Sequence, residues 1–233
     1  MSKKDYYIID KNVNKIIRGE STNFLDPNIY KQVISKLKGI TYNTYYPYED
    51  SNKVIIYTKE IPNIKLYEII SYKKLSHRQI LGSLFGLNID SELFGDIIIN
   101  DNHYYIMVID KISDLIEKEY TMVGSNHIKL KEVPLSAIKE YKTKYQKIEL
   151  IVSSLRIDNV ISSLIGTSRE AIKNKFNNDE IILNYNTCHK INYILKENDV
   201  FSIRRHGKYK FIGILKQSKK GNLVIECHKY IDN

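Results

Sequence analysis

The chain has 233 residues, long enough for two small domains. Its 36 Lys and Arg exceed its 27 Asp and Glu, giving a formal charge of +9, while 42% hydrophobic residues, ten Gly and four Pro exclude a disordered or collagen-like chain. Two cysteines exclude a disulfide framework, and without a long apolar run or a secretion signal we expect a cytoplasmic protein.

The N-terminal part predicts an α+β arrangement with a mostly antiparallel sheet. Asp26 is a natural N-cap, Pro27 suits the first helical position, and Gly39 ends this helix. Ser76 and Gln79 form a capping box for the second helix. We predict helices at 27–38, 76–87 and 110–120, the last with Asp110 as N-cap, and strands at 40–47, 53–58, 64–70, 96–100, 103–109 and 126–132.

The C-terminal part predicts two short helices followed by strands. The first helix covers 156–165, Gly166 and Thr167 break it, and Ser168 begins the second. We predict strands at 180–185, 199–204, 209–215 and 222–228. The predicted organisation is an N-terminal domain over 1–135, a linker over 136–149 and a C-terminal domain over 150–233.

The excess positive charge lies in the C-terminal part of the chain. Residues 1–138 hold 18 Lys and Arg against 17 Asp and Glu, whereas residues 139–233 hold 18 against 10. A basic domain joined to a neutral one is a common footprint of nucleic-acid binding, because cations placed on phosphates release condensed counterions. The alternative is a solvated, lysine-rich surface.

Two short helices, the second bearing cations, followed by hairpins resemble the RNA-binding domain named after small-subunit ribosomal protein S-four, also called the alpha-L motif. The resemblance covers 150–210, and its matching pieces lie at 155–158, 167–169, 182–184 and 198–200. The family usually has a glycine before the first strand and Asn-Gly after it. This chain has Asn178-Asp179 and Asn184-Tyr185 there, residues that include good turn formers.

A longer series of collinear motifs is similar to the YlmH family of bacterial proteins. The motifs are FLDP at 24–27, LSHRQILGSLFGLNID at 75–90, FGDIII at 94–99, SLRIDNVISS at 154–163, DVFSIRRHGKYKF at 199–211 and KKG at 219–221. The resemblance implies an RRM-like, ferredoxin-like N-terminal α/β sandwich joined to a small C-terminal alpha-L domain. It also implies non-catalytic binding of rRNA and tRNA on the ribosomal large subunit, in rescue of stalled ribosomes, and a link to cell division.

The candidate RNA contacts are mostly cations of the C-terminal domain. Arg169 and Lys173 are four residues apart and should share a helix face. The predicted contacts are Arg156, Ser168, Arg169, Lys173, Lys175, Arg204, Arg205, Lys208 and Lys210. His77 and Arg78 are secondary candidates, with simply exposed first-turn residues as the alternative. We expect a monomer with neither metal nor cofactor.

Two other functions stay open at this point. The triplet 156–158 resembles the Arg-Leu-Asp of pseudouridine synthases, so an RNA-modifying enzyme is the main alternative; Asp158 would otherwise be a partner of Arg156 or of the backbone. The second alternative function is a cell-division adaptor whose RNA binding is incidental. Cys188-His189 and Cys227-His228 have zinc-ligand residue types, but adjacent strand residues point to opposite faces, which disfavours chelation.

Overall fold

The structure is a computed structural model that describes residues 3–219 and 221–231, and it divides into two compact units. We call Met1–Lys142 unit 1 and Thr143–Ile231 unit 2. Lys220, part of the KKG motif, lies outside the described residues. Within the described ranges, no helix has both the length and the apolar character needed to cross a bilayer.

The two units are both mixtures of helices and strands. The α-helices are α1 Lys3–Ile17, α2 Pro27–Lys36, α3 His77–Gly86, α4 Ser113–Glu119, α5 Ile157–Ile165 and α6 Arg169–Asn177. The strands of unit 1 are β1 Asn43–Tyr45, β2 Ile55–Tyr57, β3 Ile64–Ser71, β4 Phe94–Asn100, β5 His103–Ile109, β6 Met122–Val123 and β7 Asn126–Val133. The strands of unit 2 are β8 Tyr145–Val152, β9 Ile181–Leu183, β10 Asn186–Thr187, β11 Val200–Ile203, β12 Gly207–Gln217 and β13 Leu223–Tyr230.

Unit 1 is built on an antiparallel sheet with the strand order β4-β5-β3-β7-β6. Its chain order is strand, helix, two strands, helix, strand, from β3 through α3, β4, β5 and α4 to β7. The first of these strands, β3, lies at the centre between β5 and β7. The prediction of an α+β unit with a mostly antiparallel sheet is confirmed.

Each face of the unit 1 sheet packs against a hydrophobic cluster. Along β5, Tyr104 and Ile106 face one hydrophobic cluster, which contains residues of α3 and α4, while Met107 and Ile109 face another. The second cluster contains Phe24 and residues of the β1–β2 region. The second face is covered at this end only, because Ile70, Lys129 and Lys131 are exposed at its other end.

The start of unit 1 differs from the prediction in three places. Helix α1 was not predicted; it packs with α2 around a separate cluster that includes Ile9 and Val33. Asp26 is the N-cap residue of α2, but its side chain makes no capping hydrogen bond. Strands β1 and β2 are shorter than predicted because the intervening loop folds onto Asp96, whose carboxylate accepts hydrogen bonds from the Tyr48 hydroxyl at 2.9 Å and from the Asn52 amide at 2.7 Å.

Other predicted boundaries also need correction. Asp110 begins a 3-10 turn that precedes α4, and it accepts a hydrogen bond from Ser113 at 3.2 Å instead of capping an α-helix. Where the predicted linker begins, Leu135–Ile138 forms a 3-10 turn whose Ile138 is buried. Residues 145–149 belong to strand β8, since their backbone pairs along the full length of β13. The capping box of Ser76 and Gln79 is present.

Unit 2 packs α5 and α6 against one face of a sheet with the order β10-β9-β11-β12-β13-β8. Arg156 is the N-cap residue of α5, and Gly166 ends that helix with a left-handed φ of 63°. Ser168 caps α6 by accepting a hydrogen bond from the Ala171 amide at 3.2 Å. The core holds Ile161 and Phe176 of the helices together with alternate residues of the strands. We call the opposite side of this sheet the outer face.

We expect Gly95→Ala to lower the free energy of unfolding by about 1–3 kcal/mol, because overpacking a close contact forces neighbours to shift. A Cβ at Gly95 would lie 3.0 Å from Cε1 of Phe24 and 3.1 Å from Cε of Met107. Gly82→Ala in α3 is the control, since a Cβ there meets nothing within 4 Å and should stabilise the helix by about 0.5–1 kcal/mol. Urea unfolding of both variants measures the effect, and equal stability would contradict this account of the packing.

Candidate nucleic-acid interface

The first group of predicted residues surrounds Asp158 at the start of α5. Arg156 donates two hydrogen bonds to this carboxylate, from Nε at 3.0 Å and from Nη2 at 2.9 Å. Burial raises the pKa of Asp158, but the hydrogen bonds and charge of Arg156, the Asn159 amide and the charge of Arg169 outweigh it, so the pKa lies below its usual value. Asp158 is thus a partner of Arg156, as one of the two sequence interpretations predicts.

The three cations of α6 do not share one face. Ile172 and Phe176 define the buried stripe of this helix. Arg169 and Lys173 are exposed on one flank of the stripe, as their spacing of four residues predicts. Lys175 lies about 200° around the helix from Lys173, on the other flank.

Lys175 instead joins the two arginines of the β11–β12 turn around Glu180. The ammonium of Lys175 lies 2.8 Å from the Glu180 carboxylate. This hydrogen bond lowers the pKa of Glu180 against the effect of burial, and the charges of Arg204 and Arg205 lower it further. Both arginines are exposed, so the group presents three cations and one carboxylate.

The remaining predicted cations, Lys208 and Lys210, lie on the outer face of the sheet. They alternate with Tyr209 and Phe211, which are buried in the core. The Lys208 ammonium lies 4.4 Å from the ring centre of Tyr230 and 5.0 Å from that of Tyr185. Cations over aromatic rings attract the ring quadrupole, which holds the lysine in place.

Sequence reasoning missed the aromatic half of this surface. Tyr145 packs against Tyr230 with ring centres 4.9 Å apart and against His228 at 5.5 Å. In the strand register, Lys210 pairs with His228, and His228 pairs with Lys147. We name these residues the outer-face cluster: Tyr145, Lys147, Tyr185, Lys208, Lys210, His228 and Tyr230. Two alternate positions at one end of each of β8, β12 and β13 hold a basic or aromatic residue, but only the register shows that the three strands are neighbours.

Tyr185 reaches this cluster through a strained turn. Asn184 and Tyr185 connect β9 to β10 with left-handed φ values of 47° and 68°. Two positive values are what a type I′ hairpin turn requires, and glycine usually supplies the second. Asn184 tolerates this geometry and also bonds Asp199 at 2.8 Å and the Val200 amide at 3.0 Å. Tyr185 lacks that tolerance, and its ring is 37% exposed.

The other sequence candidates are distributed over both units. His77 and Arg78 are exposed in the first turn of α3, in unit 1. Cys188 and Cys227 are buried in the unit 2 core, while His228 lies on the opposite face of its strand. Within residues 3–219 and 221–231, no three His, Cys, Asp or Glu side chains come together as metal ligands would.

Comparisons with known proteins identify the class to which this fold belongs. A family model described as "Putative RNA-binding domain in YlmH" matches residues 59–137, within unit 1. The chain is 25% identical over 223 residues to "Ribosome-associated protein quality control protein P2" of Bacillus subtilis (strain 168), covering 89% of this chain and 86% of that protein. The solved structure of "Cell division protein ylmH from Streptococcus pneumoniae" has a TM-score of 0.50 and 21% identity, over 60% of this chain and 97% of that one, and shows a shared fold.

These matches define a mixed α/β protein that contains a YlmH-type module. The predicted resemblance to the YlmH family is confirmed by the family model and by the curated relative.

We expect Glu180→Gln to increase affinity for a structured RNA about threefold, because it removes a carboxylate that competes with phosphate for Lys175, Arg204 and Arg205. The slope of log affinity against log salt should steepen by about one as Lys175 becomes available. Fluorescence anisotropy at several salt concentrations measures both quantities. Glu197→Gln, at an exposed residue before β11, is the matched control. Identical behaviour of the two variants would mean that these three cations do not contact RNA.

We expect Tyr185→Gly to weaken RNA binding by about 1–3 kcal/mol, the usual worth of one base–aromatic stack. Its stability should change by less than about 1 kcal/mol, because relief of the left-handed strain offsets the lost ring contacts. Asn184→Gly is the converse control: it removes two hydrogen bonds, keeps the ring and should lower stability by about 1–2 kcal/mol. Thermal unfolding and anisotropy separate the two effects. Wild-type RNA affinity in Tyr185→Gly would exclude the ring from the interface.

Proposed function

We propose that this protein is a non-catalytic RNA-binding protein that acts on the ribosomal large subunit, contacting rRNA and tRNA in the rescue of stalled ribosomes. The observation that carries the proposal is the arrangement of cations and rings in unit 2, with Lys208 held between Tyr185 and Tyr230. Unit 2 has 16 Lys and Arg against eight Asp and Glu in its sequence. Phosphates need the cations, and unstacked bases of single-stranded segments stack on aromatic rings.

The proposal of a binding protein is favoured over a pseudouridine-synthase-like enzyme by the state of Asp158. A catalytic aspartate must approach its substrate, whereas this residue is 7% exposed. Both of its carboxylate oxygens accept hydrogen bonds from Arg156. This geometry suits a structural ion pair that fixes the start of α5.

We further propose that unit 1 is RRM-like and that unit 2 is an S-four-type domain. The strand–helix–strand–strand–helix–strand order from β3 to β7, with β3 at the centre of the sheet and the short β6 added at its edge, supports a ferredoxin-like fold. One face of the unit 1 sheet packs on a cluster that includes α3 and α4, and the other face is covered around Met107 but exposed at Ile70 and Lys129. In unit 2, the capped helix α6 follows α5 after Gly166 and carries exposed Arg169.

The ribosomal context of the proposal comes from the relatives. The Bacillus protein named for ribosome-associated quality control aligns with 89% of this chain. The family model named for RNA binding matches unit 1, so both units are proposed to contact RNA. A cytoplasmic monomer accords with this role, and a cell-division adaptor is the alternative that the test below separates.

We expect Arg169→Ala to weaken association with large ribosomal subunits by about 1–3 kcal/mol, since a guanidinium can grip a phosphate with two parallel hydrogen bonds. Ser168 fixes the backbone at this position through its bond to Ala171. Arg169→Lys should restore only part of the affinity, because an ammonium lacks the planar fork. Co-sedimentation of the full chain with purified subunits over a concentration series measures the loss.

Lys219→Ala is the control for this experiment, because Lys219 is an exposed charge in the turn before Gly221. It should cost little beyond about one phosphate in the salt slope. Thermal unfolding must first show that all variants fold. Equal losses for Arg169→Ala and Lys219→Ala would reject Arg169 as a specific contact. Failure of the wild-type protein to sediment with ribosomal subunits would favour the adaptor function.

A further inference from the structure

A cavity in unit 1 brings together three of the YlmH-like motifs. It has a volume of about 410 Å³, within the range of roughly 300–1,000 Å³ typical of small-ligand sites. Asp26 of FLDP, His77 of the LSHRQ motif and Phe94 of FGD line it. Of the residues that line the cavity, the sequence predicts only His77 as a candidate RNA contact. The motifs lie up to 70 residues apart in the chain, so the sequence does not show that they meet.

The cavity contains a carboxylate that the fold does not use. Asp26 holds the N-cap position of α2, where an aspartate normally accepts a backbone hydrogen bond, yet its side chain makes no such bond. Burial raises its pKa, partly offset by the charge of Lys53. Asp96, by contrast, accepts bonds from the 48–53 loop and is structural. Both carboxylates line the cavity, and Asp26 is the one that accepts no bond from the loop.

The surroundings of Asp26 favour a neutral ligand with hydrogen-bond donors over a second cation. The buried Lys53 already compensates the Asp26 charge, and its ammonium donates to the carbonyl oxygens of Ser91 and Phe94. The wall beside it is aromatic: Phe85 is 48% exposed and meets Phe94 edge-on, with ring centres 5.9 Å apart. A flat ring with polar edges fits an aromatic wall beside a carboxylate acceptor.

We propose that this cavity binds a guanine base extruded from RNA, with the two carboxylate oxygens of Asp26 accepting from N1–H and N2–H and the base resting against Phe85. Guanine alone among the four bases presents two adjacent donors on its Watson–Crick edge. His77 and Arg78 lie at the first turn of α3, where they can meet the flanking phosphates. The inference rests on the proposed RNA-binding function and gives it a base-specific site.

The test compares five-nucleotide RNAs of sequence UUGUU, UUIUU and UUAUU binding to the full chain, followed by fluorescence anisotropy. Inosine lacks only the N2 amine of guanine. We expect the guanine RNA to bind about tenfold more tightly than the inosine RNA. This ratio lies in the lower part of the range by which a bidentate contact discriminates between bases. Asp26→Asn should abolish this ratio. Asp90→Asn should preserve it, because Asp90 is an exposed N-cap that also makes no capping bond but does not line the cavity.

A second variant separates recognition from folding. Phe85→Ala removes an exposed ring and should weaken all three RNAs several-fold while keeping the guanine-to-inosine ratio. A wild-type protein that binds the three RNAs equally would overturn the inference and leave the proposed function intact. Absence of binding to these RNAs and to ribosomal subunits would overturn both. Displacement of UUGUU by N-acetyl-arginine amide at lower concentration than by guanosine would assign the cavity to a peptide and also overturn the inference.

Discussion

The alternation of side chains along the strands governs both units. A strand sends successive residues to opposite faces, so a face covered by helices fixes what the other face can present. In unit 1, the 106–109 part of β5 is apolar on both faces and buried on both. In unit 2, β12 gives Tyr209 and Phe211 to the core, which leaves Lys208 and Lys210 on the outer face. The same alternation therefore buries much of the unit 1 sheet and leaves cations exposed on one face of the unit 2 sheet.

Two carboxylates of unit 2 bind or attract several of the cations that are predicted to contact RNA. Asp158 holds Arg156 and attracts Arg169, and Glu180 holds Lys175 beside Arg204 and Arg205. An ion pair at a half-exposed site adds little stability, but it restricts a long side chain to one geometry. Pre-ordered cations lose less entropy when a phosphate arrives. The carboxylates also weaken non-specific attraction, so the proposed interface should depend on shape as well as on net charge.

The proposed sites in the two units differ in chemistry. Unit 2 offers cations and rings on an open sheet face, which suits backbone contacts and stacking without base selection. Unit 1 offers a cavity with the Asp26 carboxylate beside an aromatic wall, which suits the recognition of a single base edge. A protein that combines the two can bind RNA broadly and still choose one position.

The sequence by itself determined the local features of this protein. The capping box at Ser76, the N-cap at Ser168 and the break at Gly166 were predictable because each depends on residues within one turn. The exposed cations Arg169, Arg204 and Arg205 were predictable from composition and motif. Tertiary structure decided what depends on partners far along the chain: the register that joins Tyr145 to Tyr230, the separation of Lys175 from Lys173, and the use of Asp26. An N-cap aspartate looks the same in sequence whether it caps or faces a cavity, because only packing decides where its carboxylate points.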